Sequence, residues 1–409
     1  MLCRICDKPL NHTILDLQHS PCSNDFLTED QLNLQEITYP LKLFLCTNCF
    51  LVQVKEIKKA KDIFNSEYIY HSSYSKTWLE HSKKFVEDSI NKFNLNSFSS
   101  VLEIASNDGY LLKNFIEHNI PCVGVEPATD VARIAMNQKI PTINEFFSHK
   151  FTKKFLKKNK KVDLVIANNV IAHVPLLKDF IKGLKQIISS KGVISLEFPH
   201  LLNMINDNQF DTVYHEHFSY FSLYTIQKIL MKNKLIVFDS LELNTHGGSL
   251  RLYIKNLDDN EHNVTKRVVD LLNKELSYGI NNVKFYEQIY QNALKIKYEF
   301  LNYIISKKMH NKKIIAFGAA AKGNTFLNFC GIRNDLLDYV VDETPSKQGK
   351  YLPQSHVKVE SFDLINADRP DVIVIIPWNF KEEIIKKLDF TREWNCELVT
   401  YIPLLKIHK

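Results

Sequence analysis

Glycine is scarce in this chain, with 11 residues in 409, where an ordinary protein carries about 7%. Few of the eleven can be loop filler, so each marks a point worth reading. No stretch of about 18 consecutive apolar residues occurs, so no membrane-spanning helix is expected, nor a membrane partner. The start, MLCRICDKPLNH, lacks the apolar run of a secretory signal, so a cytoplasmic protein is expected. No repeat with a period of roughly 20–50 residues is present. Neither sign of charge dominates: 52 Lys+Arg against 46 Asp+Glu give a net +6. The basic stretch KFTKKFLKKNKK reads as a solvated helix face and loop. A nucleic-acid partner would need a contiguous basic surface, and none is expected.

What is present is the balance of a folded globular chain, 45% hydrophobic and 24% charged. Its length fits roughly two to four domains. Among the eight cysteines, four form two hooks, CRIC at Cys3 and Cys6 and CTNC at Cys46 and Cys49. In a reducing compartment disulfides are rare, and two C-x-x-C hooks can close a tetrahedral thiolate site around Zn²⁺. Four protein ligands leave no open position, so the zinc is structural. The insert between the hooks reads as β-rich and ends in the alternating strand LKLFLC.

The spacing predicts a zinc module over 1–65, a larger domain over 66–309 and a smaller α/β lobe over 310–409. Residues 77–95 have helical periodicity. Short apolar runs, SVLEIA, CVGVEP, VDLVIANN and GVISLEFP, then alternate with helical patterns, the mark of a doubly wound parallel sheet. LIVFDSLEL and SLRLYIKN read as an antiparallel pair, and 262–309 as a long helical segment. A second βα series follows in KKIIAFGAA, DYVVDE, DVIVIIPW and CELVTYIP. The fold class is α/β throughout, with the zinc module in front.

SVLEIA carries Glu103 and runs into Ala105-Ser106-Asn107-Asp108-Gly109 and a helix. Gly109 is the only glycine of that turn. A pyrophosphate needs close backbone approach through several glycines, so S-adenosylmethionine (SAM) fits better than NAD. The next strand ends in Glu126-Pro127, where an acidic group can bind both ribose hydroxyls. Asn144, Glu145, Phe146 and Phe147 follow the third strand and could hold adenine. Asn168 and Asn169 end the fourth strand, on the side where α/β sheets place ligands.

His173 lies just beyond that strand. FDTVYHEHFSYFSL then packs Tyr214, His215, Glu216 and His217 into four consecutive positions. Such a cluster offers a base near neutral pH, a carboxylate to orient it and a phenol for an oxyanion. H-E-H lacks the i, i+4 spacing of a zinc-binding helix, so no catalytic metal is expected. Tyr68 and Tyr70 would share one face of an extended segment.

CRIC…CTNC, EIASNDGYLL, ANNVIAHVP, FDTVYHEHFSYFS, THGGSLR, IAFGAAAKGNTFLNFCGI and YVVDETPSKQGKYLP together resemble the SAM-dependent C-methyltransferases of nucleotide-linked deoxysugars. The likeness runs along nearly the whole chain. It implies a zinc-binding lobe, a central SAM fold and a C-terminal Rossmann-like lobe, with a dTDP- or GDP-linked sugar in the cleft between lobes. It also implies a catalytic set of Tyr214, Glu216, His217, His173 and an early tyrosine, Tyr68 or Tyr70. The expected chemistry is removal of a proton from C3 beside a C4 ketone by His217, with Glu216 assisting. Tyr214 and His173 would donate to the enolate oxygen. Ala105 departs from the glycine of many SAM enzymes, and its Cβ should narrow the turn.

In the C-terminal lobe, Lys322 and Asn324 in the turn between Gly318 and the next helix could meet phosphate. Asp342 could meet ribose, Lys347 phosphate, and His246-Gly247-Gly248-Ser249 with Arg251 is expected at the substrate cleft. Methylation on oxygen or nitrogen, which needs no ketone, is the alternative reading.

Overall fold

The computed structural model describes residues 1–59, 73 and 76–408, and three sheets organise them. The first is antiparallel and ordered β1-β2-β3-β9, with β1 at His12–Ser20, β2 at Tyr39–Leu45, β3 at Val52–Val54 and β9 at Ser219–Tyr220. Leu41, Leu43 and Leu45 alternate into the core, as the period of LKLFLC requires. β9 pairs with β3 through Val52 and Tyr220 and through Gln53 and Ser219. The sheet of the cysteine module is thus completed by the strand that follows the YHEH cluster.

The middle sheet is ordered β10-β11-β8-β7-β4-β5-β6. Its parallel part is β4 (Val101–Ile104), β5 (Cys122–Val125), β6 (Thr142–Ile143), β7 (Val162–Asn168) and β8 (Ile188–Pro199). The expected antiparallel pair, β10 (Leu235–Leu243) and β11 (Ser249–Asn256), adds to the β8 edge. β4 lies between β5 and β7, so strand order reverses there and a crevice opens at the carboxyl ends of β4 and β7. The third sheet, β14-β13-β12-β15-β16-β17, repeats the reversal around β12 (Ile314–Phe317). The others are β13 (Tyr339–Val341), β14 (Val359–Glu360), β15 (Val372–Ile375), β16 (Glu397–Thr400) and β17 (Lys406–His408).

The helical stretch expected over 262–309 is interrupted. The helix Lys266–Tyr278 ends at Gly279, whose φ of 84° is left-handed and whose N–H bonds the carbonyls of Glu275 and Leu276. A second helix, Ile289–Met309, follows. None of the described helices is long and apolar enough to cross a membrane.

Leu15 and Leu43 of the first sheet share one core with Phe300 of that second helix and Val340 and Val374 near the third sheet. Cys3, Cys46, Cys49 and Leu51 instead pack with Ile181, Phe198 and Phe221 around the middle sheet. The cysteine module is therefore wedged against both α/β sheets. Each buried aliphatic or aromatic side chain there contributes about 1.5–3 kcal/mol.

Candidate active site and thiolate centre

The two cysteine hooks meet. The four sulfurs of Cys3, Cys6, Cys46 and Cys49 lie within 4.8 Å of one another, with Cys3–Cys49 and Cys6–Cys46 each at 3.4 Å. Gln53 Nε2 donates to Cys3 Sγ at 3.4 Å. The hydrogen bond from Cys49 holds Cys3 well below the usual thiol range and pushes Cys49 up. A close tetrad of sulfurs with one already favoured as thiolate fits Zn²⁺, which requires deprotonated ligands about 2.3 Å away.

At the crevice, the chain leaves β4 through Ala105 (φ 52°), Asn107 (φ 50°) and Gly109 (φ 81°). Glu126 at the end of β5 ties this turn: Oε2 accepts Asn107 N–H at 2.9 Å and Oε1 accepts Ala128 N–H at 2.8 Å. Asn144 Nδ2 donates to the carbonyls of Glu126 and Pro127 at 2.8 and 3.0 Å. Glu103 Oε2, Ser106 Oγ, Asp108 Oδ1, Asn168 Oδ1 and Asn169 Oδ1 are buried without a hydrogen-bond partner among the described residues. Burial, then Glu126 and Asp108, push the Glu103 carboxyl well above its usual range. Burial also raises Glu126. These acceptors call for a ligand that brings positive charge and donors. SAM, with its ammonium, sulfonium and ribose hydroxyls, has both.

The other expected adenine contacts divide. Glu145 bonds Lys154 at 2.7 Å, and Phe147 packs edge-on against Phe180 at 5.3 Å. Phe146 is exposed.

The acid–base cluster is built on irregular backbone. His217 Nδ1 meets the carbonyl of Thr212 at 3.1 Å, and Tyr214 OH meets His217 Nε2 at 2.7 Å. His173 Nδ1 meets the Glu216 carbonyl at 3.0 Å. A carbonyl can only accept, so both imidazoles carry their proton on Nδ1 and present a lone pair at Nε2. The rings stand edge to face, centroids 4.6 Å apart. Burial pushes His173 down to about 4. Burial and then His173 hold His217 well below its usual value. Both rings are neutral at physiological pH.

Two expectations are corrected here. Glu216 does not orient His217; the Thr212 carbonyl does, while Glu216 Oε1 accepts from Asn24 Nδ2 at 2.8 Å. Burial pushes Glu216 up to about 7. In its neutral form His173 has no proton on Nε2, so it cannot donate to an enolate from that nitrogen. Tyr68 and Tyr70 lie outside the described residues.

Across the crevice, His246 (φ 53°) receives Asn169 Nδ2 at its Nε2, 3.2 Å away. Gly247 leaves room for Trp378, whose ring carbon would lie 2.5 Å from a Cβ there. Lys322 Nζ sits 4.4 Å over the Trp378 ring and donates to Asn379 Oδ1 at 2.8 Å. Burial lowers Lys322, and Asp211 supports its charge. Asp211 itself accepts from Trp378 Nε1 at 2.7 Å and Tyr401 OH at 3.0 Å.

Four expected substrate contacts are committed elsewhere. Arg251 is buried and donates to Glu197 Oε2 from Nε and Nη2 at 2.9 and 2.6 Å. Burial alone would raise Glu197, but His81 and Arg251 hold it at about 2. Asn324 Nδ2 donates to the Ser23 carbonyl at 2.6 Å. Asp342 accepts the N–H groups of Ala319 and Thr344, and Lys347 Nζ bonds the Ala319 carbonyl at 2.9 Å. Asp342 and Lys347 thus close the turn after β12.

Sequence reasoning missed Asp211, Trp378, Glu197 and His81. Glu197 and Trp378 stand near strand ends in LEFP and IIPW, which is the signal that could have found them.

A model of a C-methyltransferase C-terminal domain matches residues 244–403, a zinc binding domain model matches 3–64 and a methyltransferase domain model matches 78–235. The curated C-methyltransferase NovU of Streptomyces niveus is 26% identical over 383 residues, 94% of this chain and 91% of that protein. A SAM-dependent methyltransferase of Clostridium acetobutylicum shares 13% identity and a TM-score of 0.35 over 44% of this chain and 92% of its own. Magnesium protoporphyrin IX methyltransferase of Synechocystis PCC 6803, with bound SAM, gives 15% and 0.34 over 43% and 78%. Scores of that size carry no conclusion for this chain. The three domain models follow one another along nearly its whole length and, with the likeness to NovU, they support a SAM-dependent C-methyltransferase.

Proposed function

We propose that this enzyme methylates C3 beside the C4 ketone of a deoxysugar linked to dTDP or GDP, in the cytoplasm. The reading divides the chain into a zinc module over 1–65, a SAM domain with helical linker over 66–309 and a substrate lobe over 310–409. The single observation that carries it is the His217 imidazole. It is kept neutral by burial, holds its proton on Nδ1 against Thr212, and turns its basic nitrogen to the Tyr214 hydroxyl.

SAM, when bound, supplies an electrophilic methyl group. Glu103, Ser106, Asp108, Asn168 and Asn169 would hold it, with Glu126 at the ribose. The chain's own task is to make the carbon nucleophilic. The C3 proton passes to His217 Nε2, directly or with the phenol proton of Tyr214 moving to Nε2 as Tyr214 oxygen takes the C3 proton. The electron pair left at C3 delocalises onto the ketone oxygen. Lys322, which lies close enough to act on both His217 and His246 and has Asp211 to support its charge, is the group to stabilise that oxygen or the diphosphate. A carbon acid needs the adjacent ketone as well as such a base, whereas oxygen or nitrogen methylation needs no ketone.

The test is incubation with SAM and a panel of 4-keto sugar nucleotides, read by mass spectrometry. A gain of one methylene mass on a 4-keto substrate, absent from its 4-hydroxy counterpart, supports the reading. No gain on any 4-keto substrate would sink it.

A further inference from the structure

We propose that Arg4, inside the Cys3–Cys6 hook, is a positioning residue for the Tyr214–His217 pair. The segment that carries the pair has no helix or strand between Thr212 and Ser219. Something outside it must fix its path. Arg4 Nη1 donates to the Phe218 carbonyl at 2.8 Å, one residue beyond His217, and to the Val54 carbonyl at 2.8 Å. Its guanidinium also lies 5.5 Å from the Phe218 ring centroid. The Phe218 carbonyl accepts Val54 N–H as well, at 3.2 Å.

Arg4 is itself tied to the cysteine site through Gln53. Its backbone N–H bonds Gln53 Oε1 at 3.1 Å, and Gln53 Nε2 donates to Cys3 Sγ. A continuous path of hydrogen bonds therefore runs from the thiolate centre to the residue next to the base. The zinc hook does more than close its own module: it anchors the catalytic segment from below. The half-buried guanidinium reaches both carbonyls from one nitrogen, Nη1, a bridge that a lysine ammonium can make in part and that neutral glutamine cannot match.

The inference rests on the reading of His217 as base, and the experiment separates the two. Arg4→Gln is compared with the wild type by hydrogen–deuterium exchange, zinc content, SAM affinity and transfer to a dTDP-linked 4-keto-6-deoxyhexose. Amide exchange over residues 212–220 should rise about tenfold or more, with the helix Leu177–Ile187 unchanged. Zinc should stay bound and SAM affinity should move less than about twofold. kcat should fall about tenfold or more with little change in KM, because a misplaced base costs rate and not ground-state binding. Arg4→Lys should recover part of both effects. In a His217→Asn background, Arg4→Gln should add less than about twofold, since it acts through the group already removed.

Unchanged exchange over 212–220, or a full multiplicative loss in the double variant, would overturn the proposal. If Arg4→Gln loses zinc, Arg4→Met, which keeps much of the side chain's length without its donors, decides, and its unchanged exchange with zinc bound overturns the proposal equally. A His217→Asn enzyme with normal kcat would remove the base assignment, while the exchange measurement still decides whether Arg4 holds the segment.

Discussion

Tyr214 OH lies 2.7 Å from Nε2 of His217, and the carbonyl of Thr212 fixes the opposite nitrogen of the same ring. The phenol thus donates to the one lone pair that can take a substrate proton. Replacing Tyr214 by Phe removes that donor and leaves the ring in place. kcat should fall by about 10²–10³ while the thermal midpoint moves little. Steady-state kinetics and a melting curve check this, and an unchanged kcat would show that the phenol is idle.

Glu216 carries the pH dependence on the alkaline side. Burial raises its folded pKa to about 7 from an ordinary 4.5. Between those values the folded state binds more protons than the unfolded state, so this group's contribution is full below 4.5 and is lost as pH rises through about 7. Glu216→Gln should therefore stabilise the protein more at pH 8 than at pH 5. Melting curves across that range read the difference. Equal shifts at both pH values would contradict it.

Arg251 and Glu197 form a buried pair. Removing one partner strands the other charge, a loss of about 3–5 kcal/mol. Arg251→Met should lower the denaturation midpoint accordingly, before any effect on substrate affinity is considered. Urea unfolding measures this, and a change within about 0.5 kcal/mol would mean that the pair is solvated.

Ala105 holds a φ of 52°, where a Cβ is strained by about 1 kcal/mol relative to glycine. Its N–H bonds the Val125 carbonyl at 2.7 Å, as Gly318 N–H bonds the Val341 carbonyl at 2.7 Å in the third sheet. The two positions are equivalent, one filled by alanine and one by glycine. Ala105→Gly should raise stability by about 0.5–1 kcal/mol. A lower melting temperature would refute the strain argument.

The sheets were legible in the sequence because their central strands are continuous apolar runs. Both parallel βα series were read from alternation, though not their strand orders, and the meeting of the four cysteines was read from the two C-x-x-C hooks. The YHEH cluster was legible as a cluster but not in its orientation. Local periodicity cannot show that β9 joins the cysteine sheet, which turns Glu216 toward Asn24 and away from His217. Arg251 and Asn324 were read as substrate contacts for the same reason. Their partners, Glu197 and Ser23, stand 54 and 301 residues away, beyond the reach of any local pattern. Trp378 stands just past a strand end, but its contacts with Gly247, Lys322 and Asp211 are long-range and invisible in the local pattern.

Deuterium wash-in at C3 of a dTDP-linked 4-keto-6-deoxyhexose, followed in D₂O without methyl transfer, tests the central assignment most directly. The wild-type enzyme should exchange that hydrogen, and His217→Asn should not. Exchange at the wild-type rate in His217→Asn would show that another group takes the proton.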